Sequence, residues 1–419
     1  MVSWDNLSYL MKKSGSKRIL LLTYAFSPLQ APEAFLAAKS LSKINAYTID
    51  VLTLDYLNLG LAEDHSLNDY ILENFGKIFR IKTPIWINQK IFNFLRYFSH
   101  FPDKFSLFNK YIFNKAVEIN VEKYDAIITW SQWHSIHLAA LKIKKRFPTL
   151  PWIAHLSDPW ADNPFLFKYV GYRTIQKPLE KKVIKNADAI NFTTNLTRMM
   201  VMKKYTNELI NKTYVTPHSY DLSLYKSKKK DNSDKIKIGY FGNFYGPRNP
   251  FKFLKALEEL NKSNSNLFKN ISFEFIGKWI GNEEWKINNL NLPKGLINIE
   301  KPISYTESLQ RMQNSDMLLI LDAPFKISVF FPSKLVDYIG PNKPILAITP
   351  EGSCAEIVRE VGGFVYYPET ISSIKEGVIA AINFLRSNSS KRNIKFNKKN
   401  FSNDFVSKQF QLLIDQVMI

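Results

Sequence analysis

Two ionisable residues of opposite charge, Lys334 and Asp337, stand three positions apart near the start of a short helical pattern. The pattern covers Ser333 to Ile339, and a buried apolar strand is predicted to follow at Pro344 to Ile348. Residues three apart share one face of a helix, so the spacing predicts an ammonium and a carboxylate side by side. This arrangement suits a ligand that carries phosphate and hydroxyl groups. A solvated Lys and Asp on a surface helix is the alternative interpretation.

A glycine-rich segment, GYFGNFYGPRN at 239–249, follows another predicted strand. Glycine allows the backbone to approach a phosphate closely, and the amides at the next helix start can hold that phosphate. Arg248 adds a planar guanidinium whose donors fit phosphate oxygens. Glycines after a strand are often only turn residues. The phosphate-binding interpretation of this segment is therefore supported mainly by the presence of Lys334 and Asp337 in the same half of the chain.

Polar residues also follow the strands that are predicted in the first half. His134, His137, Asp158 and Thr194 each come just after a short apolar run. Ligands of open parallel sheets bind at the carboxyl ends of strands, so these side chains are predicted to face one crevice. A His beside a carboxylate can orient hydroxyl groups or steer proton transfer. The alternatives are that His134 caps the next helix, that Asp158 begins a turn before Pro159, and that His137 is structural.

Several catalytic signatures are missing from the sequence. It contains no Asp-x-Asp triplet and no cluster of His and Cys at ligand spacing, so no metal is required. It contains neither a GxSxG elbow nor a Walker loop, which argues against an α/β hydrolase and a P-loop kinase. Any phosphate chemistry would then depend on cationic side chains and helix amides.

The chain is strongly basic, with 57 Lys and Arg against 37 Asp and Glu and a formal net charge of +20. Such an excess indicates an anionic partner: a nucleotide substrate, nucleic acid or an acidic membrane surface. Compositional bias toward Lys, Asn and Ile is the alternative explanation. The single cysteine, Cys354, excludes an intramolecular disulfide and fits a reducing cytoplasm.

Membrane contact, if there is any, is predicted to be peripheral. The first residues lack a secretory pattern, and no apolar run reaches the about 18 residues of a membrane helix. Residues 70–118 interleave aromatic residues with Lys and Arg. That pattern is typical of a surface that lies on an anionic bilayer, and equally of helices whose aromatic residues face a core.

Short apolar runs alternate with helical patterns through both halves of the 419-residue chain. This order predicts an α/β protein with two parallel-sheet domains. The first domain is placed at 1–220 and the second at 221–400, with a final helix at about 401–419 that packs back on the first. The charge run at 226–235 is predicted to be a solvated loop at the boundary.

Four stretches resemble the retaining GT-B glycosyltransferases of family four. They are TWSQWHSIHLAALKIKKRFPTLPWIAHLSDPW, VTPHSYD, GYFGNFYGPRNP and FPSKLVDYIGPNKPILAITPEGS. The resemblance spans about residues 18 to 365 in the family's order. It implies GT-B architecture, in which two Rossmann-like domains face a central cleft. The first domain would carry the acceptor and the second a nucleotide-diphosphate sugar, with no cofactor.

The resemblance also implies roles for particular residues. The implied donor-binding residues are Gly242, Asn243, Arg248, Pro302, Ser333, Lys334 and Asp337, and the implied catalytic residues are His134, Asp158 and Lys334. Asp337 stands where the family has a Glu that binds ribose hydroxyls, and Arg248 and Lys334 would neutralise the diphosphate. Val329 replaces the first Glu of the family's paired pattern, so the contacts to the donor sugar are expected to differ.

The sequence therefore predicts a cytoplasmic glycosyltransferase that transfers a sugar, with retention, to a cell-surface glycan or lipid-linked acceptor. Peripheral contact with the inner face of the cell membrane is part of this hypothesis, and specific binding of nucleic acid is not. The alternatives are a nucleotide-sugar epimerase of the same fold and a noncatalytic partner subunit.

Overall fold

The computed structural model describes residues 17–84, 87, 89–95, 102–166, 169–225, 235–279, 290–387 and 397–419. The charge run at 226–235 lies outside these ranges except for its last residue, as does part of the basic aromatic stretch. The chain forms two compact units. The first unit contains residues 1–218 and 403–419, and the second contains 219–402.

The described part of the first unit contains a seven-stranded parallel sheet in the order β3-β2-β1-β4-β5-β6-β7. Its strands are β1 Arg18–Thr23, β2 Thr48–Leu54, β3 Ile78–Ile81, β4 Ala126–Ser131, β5 Trp152–Leu156, β6 Ala189–Phe192 and β7 Thr213–Val215. In the central strands β4 and β5 every residue is buried. Strands that are buried along their whole length are expected in a parallel sheet when helices cover both of its faces.

Helices connect these strands. They are α1 Pro32–Leu41, α2 Asn68–Asn74, α3 Gln89–Leu95, α4 Asn109–Glu118, α5 Ser135–Arg146, α6 Tyr172–Asn186, α7 Asn195–Met202 and α8 Asn207–Asn211. Helix α1 begins with a proline, whose missing amide hydrogen has no helical partner at that position anyway. Helix α7 is capped by Thr194, whose Oγ1 accepts a hydrogen bond from the Thr197 amide at 3.0 Å.

The second unit contains a six-stranded parallel sheet in the order β10-β9-β8-β11-β12-β13, within the residues that the structure describes. Its strands are β8 Ile236–Phe241, β9 Ile271–Ile276, β10 Ile297–Glu300, β11 Met317–Leu321, β12 Ile345–Ile348 and β13 Phe364–Tyr366. Its helices are α9 Phe251–Ser263, α10 Tyr305–Asn314, α11 Ser333–Ile339, α12 Ser353–Glu360 and α13 Ile371–Arg386. The predicted class of two parallel-sheet α/β domains is confirmed.

The last helix, α14 at Asn403–Val417, belongs to the first unit. Ser407 fixes it to the end of α1, because its Oγ donates to the Ser40 carbonyl at 2.8 Å and accepts from the Lys43 amide at 3.2 Å. Its apolar face buries Phe410, whose ring centre lies 5.5 Å from that of Trp130 and 5.6 Å from that of His155. The helix thus covers side chains of the central strands.

Aromatic residues of the basic aromatic stretch form part of the first unit's core. Phe92, Phe105 and Phe108 are at most 1% exposed, and the Phe92 and Phe105 rings meet edge to face at 5.3 Å. Lys104 Nζ lies 4.7 Å from the centre of the Phe92 ring. Phe94 is 63% exposed. For the buried residues, the core interpretation of the stretch is the one that the structure supports. Among the described residues no helix is both long and apolar enough to span a bilayer.

Replacing Phe410 by Ala is expected to lower the free energy of unfolding of the first unit by about 3–5 kcal/mol, because the change leaves a cavity against Trp130 and His155. Urea unfolding followed by the fluorescence of the buried tryptophans measures the change. The matched control is Leu412→Ala on the same helix, where the side chain is 52% exposed and the expected change is within about 0.5 kcal/mol. Equal losses in the two variants would show that α14 does not pack as described.

Candidate functional site

Two glycines bring the ends of β8 and β9 into direct backbone contact. Gly242 has φ of +134° and Gly277 has φ of +151°, both in the region that favours glycine. A Cβ on Gly277 would lie 2.1 Å from the Gly242 carbonyl oxygen, which no side chain can tolerate. The Gly242 amide donates to the Ile276 carbonyl at 2.8 Å. The backbone at Gly242, directly after β8, is therefore not covered by a side chain of either glycine.

Lys334, in the first turn of α11, reaches this bare backbone. Its Nζ lies 3.7 Å from the centre of the Tyr240 ring, and a Cβ on Gly242 would lie 2.8 Å from the same Nζ. Among the described residues, this buried nitrogen has no hydrogen-bond partner. Burial, and after it the positive charge of Arg248, lowers the pKa of Lys334 well below its usual value. A buried cation without a partner is costly, so the position is suited to an anionic ligand.

Arg248, predicted as a second phosphate-binding cation, is held in a buried ion pair with Asp322. Its Nη2 donates to Asp322 Oδ1 at 2.8 Å, and its Nη1 donates to the Tyr245 hydroxyl at 2.9 Å. The Arg248 residue is 9% exposed and Asp322 is 6% exposed. Burial would lower the pKa of Arg248, but the charge and hydrogen bond of Asp322, together with Tyr245 and Tyr240, raise that pKa on balance. The guanidinium is therefore largely neutralised within the protein.

Asp322 was not among the predicted site residues, although it joins three parts of the second unit. It follows β11, and its oxygens accept hydrogen bonds from Arg248, the Ala323 amide, Ser328 and Thr349. Burial would raise the pKa of Asp322, but the charge and hydrogen bond of Arg248 lower it, with help from Ser328. The available sequence signal is a carboxylate at the end of the apolar run MLLIL.

Lys334 and Asp337 do not form the side-by-side pair that their spacing predicts. Asp337 Oδ1 accepts a hydrogen bond from the Tyr305 hydroxyl at 2.8 Å, and the Asp337 carbonyl accepts one from the Tyr225 hydroxyl at 2.7 Å. Lys334 is directed to Tyr240 instead. The rule that residues three apart share a helix face locates their backbone positions only. The neighbouring tyrosines determine where the Lys334 and Asp337 side chains point.

The remaining predicted donor-binding residues lie around the same edge of the second sheet. Asn243 is exposed, and its Oδ1 accepts from the Lys278 amide at 2.8 Å, so it links the loops after β8 and β9. Pro302 is exposed two residues beyond β10, and Ser333 is partly exposed at the first position of α11. Val329, which replaces the family's Glu, is 3% exposed, and its carbonyl accepts from Ser353 Oγ at 3.2 Å.

In the first unit, His134 and Asp158 occupy neighbouring loops after β4 and β5. The His134 ring stacks on Trp160 at 5.1 Å with an interplanar angle of 9°. Burial lowers the pKa of His134 to about 3, and a hydrogen bond from the ring to the Pro159 carbonyl opposes this shift only in part. His134 is therefore a neutral imidazole at physiological pH and contacts the residue next to Asp158. Asp158 is partly exposed.

The predicted crevice does not include all four polar residues. His137 is fully buried, and its Nδ1 lies 2.7 Å from Thr129 Oγ1, so it is part of the core. Thr194 is 7% exposed and caps α7. Of these four residues, His134 and Asp158 are the two that are partly exposed. The described residues contain no group of three or more His, Cys, Asp or Glu that could hold a metal ion.

Two parallel-sheet α/β units of this kind define the fold of the GT-B glycosyltransferase structures. HepE from Anabaena, solved with UDP and glucose, is 14% identical, with a TM-score of 0.66 over 96% of this chain and 100% of that one. Sucrose-phosphate synthase from Thermosynechococcus elongatus is 14% identical, with a TM-score of 0.65 over 96% and 99%. A protein assigned as a UDP-N-acetylglucosamine 2-epimerase from Listeria monocytogenes is 10% identical, with a TM-score of 0.59 over 95% of each chain.

The sequence itself matches no family model, and no curated protein matches it. At identities of 10–14% the structural likeness shows the fold alone.

Replacing Asp322 by Asn is expected to lower the stability of the second unit by about 3–5 kcal/mol, because Arg248 would remain buried without its counter-charge. The folded-state pKa of Asp322 is lowered, so this stabilisation is present above the unfolded-state value of about 4 and is lost as the pH falls through the folded-state value. Urea unfolding of both proteins at neutral and acidic pH measures the difference.

The matched control is Glu351→Gln, which breaks the ion pair between Glu351 and Arg359. The Glu351 side chain is 66% exposed and that of Arg359 is 50% exposed, so the expected loss is less than about 1 kcal/mol. A loss in Asp322→Asn no larger than in this control would contradict the buried pair.

Proposed function

We propose that this protein is a glycosyltransferase that uses a nucleotide-diphosphate sugar as its donor. The observation that carries the proposal is the buried Lys334 amino group, which has no hydrogen-bond partner among the described residues and lies against the bare Gly242 backbone. A diphosphate would supply the missing negative charge, and glycine leaves room for it. The structural likeness to HepE, solved with UDP and glucose, supports the same ligand class.

Lys334 would be the principal cation that acts on the diphosphate. Arg248 is already paired with Asp322, so we propose that it positions the glycine loop and adds little net charge. Burial holds the Lys334 pKa low, and a bound phosphate would raise it again, so donor binding would take up a proton. Lys334 can then stabilise the negative charge that develops on the leaving diphosphate.

The other predicted donor contacts remain part of the proposal. Asp337 would bind the ribose hydroxyls, and the hydrogen bond from Tyr305 would fix its carboxylate for that purpose. Gly242 and Asn243 would lie along the diphosphate, and Pro302 and Ser333 would border the donor from the loops that carry them. With Val329 in place of a Glu, no carboxylate at that position is available to bind the donor sugar.

We propose transfer with retention through front-face substitution, in which the leaving diphosphate takes the acceptor proton. The bond from the sugar to the diphosphate breaks while the acceptor oxygen attacks the same face, so no protein nucleophile is needed. Neither a metal nor a cofactor enters this scheme. His134 and Asp158 in the first unit would serve the acceptor, and the neutral imidazole suits hydrogen bonding to a hydroxyl group.

We also infer that the acceptor is a cell-surface glycan or a lipid-linked sugar, met at the inner face of the cell membrane. The support is the net charge of +20 and the exposed apolar residues Ile91 and Phe94 on α3. Basic residues neutralise anionic headgroups, and exposed aromatic residues suit the bilayer interface. This part of the proposal is independent of the donor site.

A nucleotide-sugar epimerase is the second candidate, because a protein assigned to that activity shares the fold along 95% of this chain. Val329 is compatible with an epimerase, since it replaces the Glu that binds the donor sugar in the family-four transferases. The two activities differ in what they need, because an epimerase acts on the donor alone and a transferase requires an acceptor.

Replacing Lys334 by Met is expected to weaken the binding of nucleoside diphosphates and so to reduce the stabilisation that they give. A charged hydrogen bond is worth about 1.5–3 kcal/mol, so affinity should fall by about ten-fold to a hundred-fold. The apo protein should be at least as stable as the wild type, because the change removes a buried amino group that has no hydrogen-bond partner among the described residues. Thermal-shift measurements with UDP and other nucleoside diphosphates test both expectations.

Lys326→Met is the matched control, because Lys326 is an exposed lysine of the same unit. It should leave the ligand-induced shift unchanged. If wild-type protein is stabilised by none of these nucleotides, the proposed donor site is wrong. The same holds if Lys334→Met responds to them as the wild type does.

Incubation with a nucleotide-diphosphate sugar distinguishes transfer from epimerisation. The proposed transferase should release nucleoside diphosphate faster when a sugar or lipid-linked acceptor is added, and labelled sugar should appear in that acceptor. Chromatography of nucleotide and labelled product provides both readouts. Acceptor-independent release of nucleotide together with a free epimerised sugar would favour the second candidate instead.

A further inference from the structure

A buried carboxyl group, Glu33, lies at the carboxyl edge of the first sheet. It is in the first turn of α1 and is 8% exposed. Trp130 Nε1 donates to its Oε2 at 2.8 Å, and Ser157 Oγ lies 2.7 Å from the same oxygen. Trp130 is on β4 and Ser157 directly follows β5, next to Asp158. Glu33 thus links α1 to strand β4 and to the loop after β5 through one oxygen atom.

The hydrogen bonds of Ser157 indicate a proton on Glu33. Ser157 Oγ lies 2.7 Å from Glu33 Oε2 and also 2.7 Å from the Ser131 carbonyl oxygen. A serine hydroxyl has one hydrogen, and a carbonyl and a carboxylate can only accept. If Glu33 is protonated, its own hydrogen serves one of the two contacts and the Ser157 hydrogen serves the other. Both short contacts are then satisfied.

The electrostatic surroundings favour the same state. Burial raises the pKa of Glu33 to about 8, and the negative charge of Asp158 adds to the shift, while hydrogen bonds from Ser157 and Trp130 oppose it. Among the described residues, Asp158 is the charged group that raises the pKa of Glu33. His155 of β5, whose ring centre lies 3.8 Å from that of Trp130, has its pKa lowered by burial and is neutral.

We propose that Glu33 is a positioning residue that holds a proton at neutral pH and thereby fixes Ser157 and the single negative charge of Asp158 for the acceptor. The reference to the acceptor rests on the proposed function. Ionisation of Glu33 removes a hydrogen from the Ser157 contacts and places a second negative charge beside Asp158. Two neighbouring carboxylates repel, so Asp158 would lose its position as Glu33 ionises.

The protonation state is tested without any substrate by NMR of the tryptophan indole groups. The Trp130 indole N–H, assigned with Trp130→Phe, donates to Glu33 and should shift with a midpoint near pH 8. Glu33→Gln keeps an acceptor for Trp130 and a donor for Ser157, so the fold should be retained and the titration lost. Absence of the titration in the wild type, or its persistence in Glu33→Gln, would overturn the proposal.

Thermal unfolding gives a second readout that is independent of activity. Since the folded-state pKa of Glu33 is raised, wild-type stability should fall as the pH rises from the unfolded-state value of about 4.3 toward 8. Glu33→Gln lacks this loss, so its melting temperature should gain on that of the wild type over the same window. Ser157→Ala, which removes the shared hydroxyl, should keep the pH dependence. A constant gap between Glu33→Gln and the wild type would contradict a bound proton.

Kinetics then test positioning. In the wild type the acceptor KM should rise several-fold above pH 8, with the donor KM unchanged, and Glu33→Gln should remove this alkaline limb. A variant that is inactive at every pH would show that Glu33 acts as an ionised base, which overturns the proposal. If nucleotides fail to stabilise even the wild type, the proposed function fails, and the indole titration and the stability window still decide whether Glu33 holds the proton.

Discussion

A buried ion pair between Arg248 and Asp322 determines the charge balance of the second unit's glycine loop. Removing one partner of such a pair costs about 3–5 kcal/mol of stability, whereas replacing both partners by apolar residues is often neutral. The pair therefore contributes little net stability, and its main effect is to fix the positions of the two side chains. It connects the end of β11 to the loop after β8 and neutralises one of two cations. Lys334 is left without a hydrogen-bond partner among the described residues, and this is the basis of the proposed donor site.

The fold could be predicted because its signals are local. Strands β11 and β12 are continuous apolar runs and β1 contains one, and such runs are what a covered parallel sheet needs. The edge strands β7 and β13 were not predicted. Each has three residues with no fully buried position, so neither alternation nor a long apolar run marks it. Short edge strands are formed by pairing with a neighbour, which the sequence does not display.

Candidate site residues could be predicted only where the residue type by itself suggests a chemical function. Lys334 and Gly242 were predicted because an ammonium-bearing side chain and a glycine loop each suggest phosphate, and the structure places the two side by side. Asp322 and Glu33 were missed, because their importance arises from partners 74 and 97 positions away along the chain. The spacing of Lys334 and Asp337 misled for a related reason, since tyrosines from distant segments set their directions.

The course of the chain also determines the order in which the protein can be completed during synthesis. The second unit is continuous, whereas the first needs α14, which is translated after the second unit and covers Trp130 and His155. Domains generally fold as they emerge from the ribosome. The second unit can therefore reach its final structure while the first still exposes part of its core. A chaperone that binds exposed aromatic surface would find its target in the first unit, whose strands precede the second unit in the chain.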